Sequence, residues 1–127
     1  MRTVTCNGCF DALHPGHLFF LGYALAQGDE LIVGINSDDY IIRNKRSNPH
    51  RNQKERKSDL LSLGFIKNVI IFPEDSPIEF IRIVRPDVHC TGEEYRNSCR
   101  EERVCKDLGI RLIFVPRIGD WSSSCSE

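Results

Sequence analysis

The sequence predicts a single domain of the α/β class over residues 1–127, with a five-stranded, doubly wound parallel sheet of the Rossmann-like type. Three observations support this prediction. Short apolar runs alternate along the chain with longer segments of helical character. One run, residues 31–35, is continuously apolar, which is typical of a strand covered on both faces. The length of 127 residues suits one domain, and no repeat or low-complexity segment divides it.

The predicted elements follow one another in the order that a parallel sheet requires. Strands are predicted at 3–9, 30–36, 68–72, 88–91 and 111–116. Helices are predicted at 17–26, 52–63, 77–85 and 98–108, and the stretch 37–54 is predicted to be a polar, basic connection. Because the carboxyl ends of parallel strands share one edge of a sheet, we expect a ligand to bind at that edge.

Composition and charge exclude several classes of function. Hydrophobic residues make up 40% of the chain and charged residues 28%, as in ordinary globular proteins. The formal net charge of −1 argues against a nucleic-acid partner. No apolar run approaches the ~18 residues of a membrane span, and no signal peptide opens the chain. We therefore expect a cytoplasmic location and no membrane partner.

Six cysteines are expected to be reduced and mostly buried, because the chain lacks the features of a small secreted protein. They are Cys6, Cys9, Cys90, Cys99, Cys105 and Cys125. Cys6 and Cys9 have the C-x-x-C spacing of redox and zinc sites. Such a site would need the pair at a helix start or matched by a second pair, and the sequence shows neither.

The most informative segment is residues 7–17, which read N-G-C-F-D-A-L-H-P-G-H between a predicted strand and a predicted helix. The first N–H groups of a helix lack intrahelical partners and carry partial positive charge, so they favour an anion. Gly8 permits a tight turn, and Gly16 permits close approach of the backbone to a ligand. His14 and His17, three residues apart, share one helix face and can donate to the same phosphate. The segment therefore predicts a nucleoside triphosphate site.

The residues between the glycine turn and the histidines are assigned supporting roles. The backbone of Cys9 and Phe10 is expected to hold the α-phosphate. Asp11 is expected to cap the helix or to orient a histidine. A metal site at His14 and His17 is less well supported, because the sequence offers no further ligands.

A basic run follows the second predicted strand and contains seven of the seventeen Lys and Arg residues. They are Arg43, Lys45, Arg46, Arg51, Lys54, Arg56 and Lys57. For a single member of the run, a solvated loop or helix face is the better interpretation. As a group they lie beside the predicted phosphate site. The absence of aromatic residues from the run argues against nucleic acid.

The segment 7–17 resembles the H-x-G-H signature of the cytidylyltransferase-like nucleotidyltransferases, in its fuller form G-x-F-D-x-x-H-x-G-H. Residues 31–38, 74–77, 85–87 and 92–95 are similar to stretches of that family in the same order, so the resemblance covers nearly the whole chain. Glycerol-3-phosphate cytidylyltransferase and the ADP-heptose synthase nucleotidyltransferase domain are the members that the sequence most resembles.

The resemblance implies nucleotidyl transfer, in which a phosphorylated sugar or polyol attacks the α-phosphorus of a nucleoside triphosphate and pyrophosphate leaves. It implies four catalytic residues, His14, His17, Lys45 and Arg56. The histidines would bind the phosphates, Lys45 the β/γ end, and Arg56 with Arg117 the base-side or acceptor phosphate. It also implies Mg²⁺ bound mainly through the triphosphate, and a homodimer.

Two further motifs carry implied nucleotide-binding residues. Residues 92–95 read G-E-E-Y and resemble the family's G-D-D-W, which places Gly92 and Glu94 near the nucleotide. The closing residues 116–124 resemble R-T-E-G-I-S-T-T and imply binding by Arg117, Ser122 and Ser123. In this chain Glu replaces Asp in the first motif, and the sequence ends at Glu127 soon after the second, so the family's last helix is expected to be largely absent.

The identity of the nucleotide is left open between two readings. The closing Pro-Arg pair favours CTP slightly. The N-G-C-F-D opening, residues 36–38 and residues 74–77 are more similar to the ADP-heptose synthase domain and favour ATP. Two other functions remain alternatives: a nucleotide-binding module without turnover, and a redox protein using Cys6 and Cys9.

Overall fold

Five parallel strands form the single sheet of this protein, in a computed structural model that describes residues 1–96 and 99–116. Their order across the sheet is β3-β2-β1-β4-β5, so β1 is central. The strands are β1 (Thr3–Gly8), β2 (Glu30–Asn36), β3 (Asn68–Phe72), β4 (Val88–Gly92) and β5 (Arg111–Val115). The predicted fold class, a single α/β domain with a doubly wound parallel sheet, is confirmed.

Five helices connect the described strands. They are α1 (Pro15–Leu25), α2 (Asp38–Lys45), α3 (Gln53–Leu61), α4 (Ile78–Val84) and α5 (Glu101–Leu108), with a short 3₁₀ helix at Glu93–Tyr95. The sequence analysis wrongly assigned α2 to a connection, because this helix is polar and buries only Ile41. Its start was nevertheless encoded: the Ser37 hydroxyl accepts the Tyr40 N–H at 3.2 Å, as an N-cap does.

Each face of the sheet is covered by two helices. On one face, α1 and α3 contribute Leu21 and Leu60 to a core that includes Val4 and Val33 of the central strands. On the other face, α4 and α5 pack Phe80, Ile81 and Val104 against Phe72 of β3. Because all five strands are parallel, their carboxyl ends lie at one edge of the sheet, which is where ligands bind in folds of this type.

A glycine in β2 sets the distance between the sheet and α4. A Cβ placed on Gly34 would lie 2.8 Å from the ring of Phe80, so only glycine allows the ring to rest on the strand. Among the described residues, no helix is both long and apolar enough to cross a membrane.

Candidate active site

The turn after β1 is shaped by a buried phenylalanine. Phe10 adopts a φ of +51°, in the left-handed region that a bulky side chain rarely occupies. Its ring covers Gly8, where an added Cβ would lie 3.0 Å from the ring edge. The ring also meets His17 edge to face, with centroids 5.1 Å apart. The side chain of Phe10 therefore packs against the turn and against His17. The prediction for Phe10 concerned its backbone alone.

The two histidines close the start of α1 reciprocally. His14 is the N-cap, and its Nδ1 accepts the Gly16 N–H at 3.1 Å. The His14 N–H in turn points to Nδ1 of His17 at 3.4 Å. Pro15 occupies the first helical position, where a missing N–H costs nothing. As a result the two rings stack, with centroids 3.8 Å apart and planes 20° from parallel.

The capping bonds use Nδ1 of both histidines, so Nε2 is the ring nitrogen that remains on each. The Nε2 atoms of His14 and His17 are buried and have no hydrogen-bond partner among the described residues. Nδ1 of His14 accepts a backbone N–H, so Nε2 is the nitrogen left to donate from that ring, and the 3.4 Å contact of the His14 N–H with Nδ1 of His17 favours the same arrangement there. Burial, followed by the neighbouring His14, lowers the pKa of His17 to about 4, so His17 is neutral at pH 7. Two adjacent unsatisfied donors are costly to a folded protein, and a phosphate ligand would satisfy both.

Asp11 forms its hydrogen bonds away from the histidines, and the N-cap of α1 is His14. Its Oδ2 accepts the N–H of His50 and its Oδ1 accepts the N–H of Arg51, both at 2.9 Å. The expectation that Asp11 caps the helix or orients a histidine is therefore wrong. His14 already caps α1, and the carboxylate instead finds two consecutive amides about forty residues along the chain.

Arg56 is fully buried, and its guanidinium is engaged within the protein. Nη1 donates to the carbonyls of Cys9 at 3.0 Å and Asn36 at 2.8 Å, Nε to the carbonyl of Arg51 at 3.0 Å, and Nη2 to Asp38 at 2.8 Å. Because Nε, Nη1 and Nη2 of Arg56 all donate to groups of the protein, the structure assigns this side chain to holding these segments together, and its contact with a substrate phosphate stays a prediction. Arg56 is a positioning residue in this structure, and the family motif alone gave no sign of that.

Four further cations of the basic run lie at the two ends of the segment between α2 and α3 or on α2 itself. Arg43 pairs with Asp75 at 3.0 Å, and Arg51 binds Asp59 through Nε at 2.5 Å and Nη2 at 3.1 Å. Lys45 is the last residue of α2 and half-buried, and Arg46 follows it as an exposed C-cap with φ +54°. Lys45 and Arg46 thus begin the connection between α2 and α3, whose far end is held by Asp11.

The turn after β4 brings further polar groups to the same edge of the sheet. The carboxylate of Glu94 folds back onto Gly92, where any side chain would collide with Glu94 Oε1. Burial, then Glu94 and Glu101, raise the pKa of Tyr95 to about 12, so its hydroxyl keeps its proton. Gly92 and Glu94 therefore lie close to each other, and their contact with the nucleotide stays a prediction.

Tyr95 and Asn36 are candidate site residues that the sequence analysis did not single out. Tyr95 ends the short 3₁₀ helix that directly follows β4, so it lies at the carboxyl edge of the sheet. At the end of β2, Asn36 Oδ1 accepts the thiol of Cys9 at 3.4 Å. The aromatic position of the 92–95 motif was the signal that could have identified Tyr95. The predicted contacts of Arg117, Ser122 and Ser123 lie outside the described residues.

The cysteines do not support redox chemistry. Four of the five described cysteines are buried, as predicted, and none of these five forms a disulfide. Burial, reinforced by Cys90, raises the pKa of Cys6 well above its ordinary value, which suppresses the reactive thiolate. No group of three or more His, Cys, Asp or Glu side chains suited to a metal ion occurs within residues 1–96 and 99–116.

The structure is an α/β domain with a parallel sheet, and its two stacked histidines stand at the start of the first helix, after the carboxyl end of the central strand. The model of the cytidylyltransferase-like family matches residues 5–115, and the chain belongs to this family of nucleotidyltransferases.

Curated relatives share up to nearly half of the aligned residues. The chain is 46% identical over 115 residues to the bifunctional protein HldE of Campylobacter curvus, covering 88% of this chain and 24% of the relative. It is 44% identical over 100 residues to HldE of Helicobacter pylori strain HPAG1, covering 76% and 21%. The chain thus spans about a quarter of the length of these relatives.

Solved structures show the same fold. A lipopolysaccharide core biosynthesis protein from Thermoplasma volcanium superposes with a TM-score of 0.78 at 23% identity, over 94% of this chain and 99% of that one. Pantothenate synthetase from Thermus thermophilus superposes with a TM-score of 0.63 at 15% identity, over 94% of this chain and 56% of that one. At these identities the likeness concerns the fold alone.

Proposed function

We propose that this domain transfers an adenylyl group from ATP to the phosphate of a phosphorylated sugar and releases pyrophosphate, as the ADP-heptose synthase nucleotidyltransferase domain does. The observation that carries the proposal is the pair of buried, unsatisfied Nε2 donors on His14 and His17. These donors lie within the segment that matches the family.

The chemistry requires placement and stabilisation of charge rather than a nucleophilic side chain. An oxygen of the acceptor phosphate, already ionised at neutral pH, attacks the α-phosphorus in line. The bond from that phosphorus to the oxygen that bridges the α- and β-phosphates breaks, and pyrophosphate leaves with the bonding electron pair. His14 and His17 donate Nε2–H groups to phosphate oxygens, and these bonds strengthen as charge develops. Because His17 is neutral and held by its cap, it acts as a fixed donor.

Lys45 and Arg46 supply positive charge to the β- and γ-phosphates in this proposal. Mg²⁺ enters with ATP as part of the substrate. The described side chains offer the ion no cluster of three ligands, which suits coordination mainly by phosphate oxygens and water. Mg²⁺ would neutralise charge on the leaving pyrophosphate.

We choose ATP rather than CTP as the substrate because the curated relatives are HldE proteins. The preference for CTP in the sequence analysis depended on Arg117, which lies outside the described residues. The HldE proteins, at 44–46% identity, support the ATP alternative instead. The acceptor is then a heptose phosphate, in line with the ADP-heptose resemblance of the opening segment.

The test compares the effects of ATP and CTP on the Tm of the unaltered 127-residue chain. A ligand present at one hundred times its Kd adds about 2.7 kcal/mol to stability, so we expect Mg·ATP to raise Tm by several degrees and Mg·CTP to raise it less. Pyrophosphate release from Mg·ATP should then depend on added heptose phosphate. A larger shift with Mg·CTP would overturn the choice of base, and ATP binding without pyrophosphate release from this acceptor would favour a module without turnover.

A further inference from the structure

The connection from α2 to α3, which we call the 46–52 loop, is held at its far end by charged side chains. Asp11 accepts the consecutive N–H groups of His50 and Arg51, one on each carboxylate oxygen. Arg56 donates Nε–H to the carbonyl of Arg51. The peptide groups on both sides of Arg51 are therefore fixed by side chains from outside the loop.

The same two side chains reach the segment that carries the histidines. Asp11 belongs to that segment, residues 9–17, which we call the histidine loop. Arg56 donates to the carbonyl of Cys9 at the beginning of the histidine loop and to the carbonyl of Asn36 at the end of β2. One buried guanidinium thus joins the histidine loop, β2 and the 46–52 loop.

These bonds are not needed to start α3. Asn52 and Glu55 already cap that helix reciprocally, with both bonds at 2.9 Å. Arg56 is fully buried, and its hydrogen bonds and ion pair must offset the free energy lost when its guanidinium leaves water. What they fix is the position of the 46–52 loop, which begins directly after Lys45, relative to the histidine pair.

We propose that Asp11 and Arg56 are positioning residues that latch the 46–52 loop to the histidine loop, and that the latch directs Lys45 and Arg46 toward the β- and γ-phosphates of a bound triphosphate. This inference rests on the proposed function. Because the latch acts on the part of the site distant from the nucleoside, its loss weakens triphosphate binding much more than monophosphate binding.

Asp11→Asn tests the latch with little change in volume, and Asp59→Asn is the matched control. Asp59 also binds Arg51, but it accepts from the Arg51 side chain, whereas Asp11 accepts from the Arg51 backbone N–H. In Asp11→Asn one of the two N–H groups loses its acceptor. Without ligand, we expect trypsin to cleave after Arg46 and Arg51 at least ~5-fold faster in Asp11→Asn than in Asp59→Asn, since local opening exposes the loop.

Nucleotide binding is then measured by calorimetry on the same proteins. We expect Asp11→Asn to weaken Mg·ATP about 10-fold, as expected for a lost bond to a charged group, and to change the Kd for AMP less than about 2-fold. Arg56→Lys keeps the charge but not the four-way geometry, and the same selective loss is expected.

Three results would overturn the latch. One is equal trypsin cleavage of Asp11→Asn and Asp59→Asn. Another is an equal weakening of ATP and AMP, which would indicate a general structural role. The third is ATP affinity in Asp11→Asn that matches the unaltered chain. If the unaltered chain binds no triphosphate, the proposed function fails, and the directing role of the latch fails with it.

Discussion

At the scale of the residue, the chemistry of the site depends on which ring nitrogen of each histidine the capping bonds do not use. The Gly16 N–H occupies Nδ1 of His14, and the His14 N–H occupies Nδ1 of His17. Local capping bonds therefore select the tautomer and present both Nε2–H groups together. The depressed pKa of His17 keeps its ring neutral, so in the proposed function this ring binds phosphate as a directed donor rather than by charge.

Replacement of His17 tests this assignment at the reacting phosphate. In His17→Ala one of two donors that strengthen in the transition state is lost, and we expect turnover to fall at least ~100-fold. The measurement is pyrophosphate release with Mg·ATP and heptose phosphate, alongside a thermal melt that verifies the fold. Near-normal turnover in a folded His17→Ala protein would contradict the role of the histidine.

At the scale of the element, the site depends on how loops are joined. Arg56 lies on α3, yet its bonds end on the loop after β1, on the last residue of β2 and on the first residue of α2. Gln53, also on α3, accepts the N–H of Asp38 at 2.9 Å. The start of α3 therefore organises the carboxyl edge of the sheet.

Removing this guanidinium should destabilise the protein strongly. In Arg56→Met three carbonyls lose a donor and Asp38 loses its ion-pair partner, which by the usual cost of breaking a buried charged network is about 3–5 kcal/mol. Urea unfolding followed by circular dichroism measures the change. Arg43→Met, which removes an ion pair that is exposed on both sides, serves as the control and should cost less than about 1 kcal/mol.

At the scale of the whole molecule, the centre of the sheet contains a polar pair. Thr5 of β1 and His89 of β4 are register partners, and the Thr5 hydroxyl lies 2.7 Å from Nδ1 of His89. Both side chains are fully buried, and Nε2 of His89 has no partner among the described residues. Burial lowers the pKa of His89 to about 4, against which Glu101 acts weakly in the opposite direction.

This buried imidazole links global stability to pH. The unfolded chain binds a proton at His89 near pH 6.5, whereas the folded chain does so only near pH 4. Stability is therefore greatest above pH 6.5 and falls as the pH decreases from 6.5 to 4, by up to about 3 kcal/mol for this group.

Denaturant unfolding across that range checks the prediction. The Thr5→Val/His89→Leu double variant removes the pair together and should reduce the pH dependence by about half, because the pKa of His17 is also lowered to about 4 and its contribution remains. An unchanged slope in the double variant would contradict the assignment to His89.

The sequence was sufficient for the order of the elements and for the histidine segment. Strand bounds were predicted to within one residue, because buried parallel strands are short apolar runs between turns. Helix α2 was missed, since its polar side chains carry almost no apolar periodicity, although Ser37 marked its start. His14 and His17 were recognised because their spacing and the strand–turn–helix context are local.

The roles of Asp11 and Arg56 were decided by the tertiary structure alone. Both residues stand where the family pattern has them, so Arg56 was predicted to bind a phosphate and Asp11 to cap the helix or orient a histidine. Folding instead brings Asp11 to amides about forty residues away and buries Arg56 among carbonyls of three other segments. Side-chain chemistry and local order can be read along a chain. The partner that a charged group finds depends on which distant backbone groups the fold leaves unsatisfied beside it.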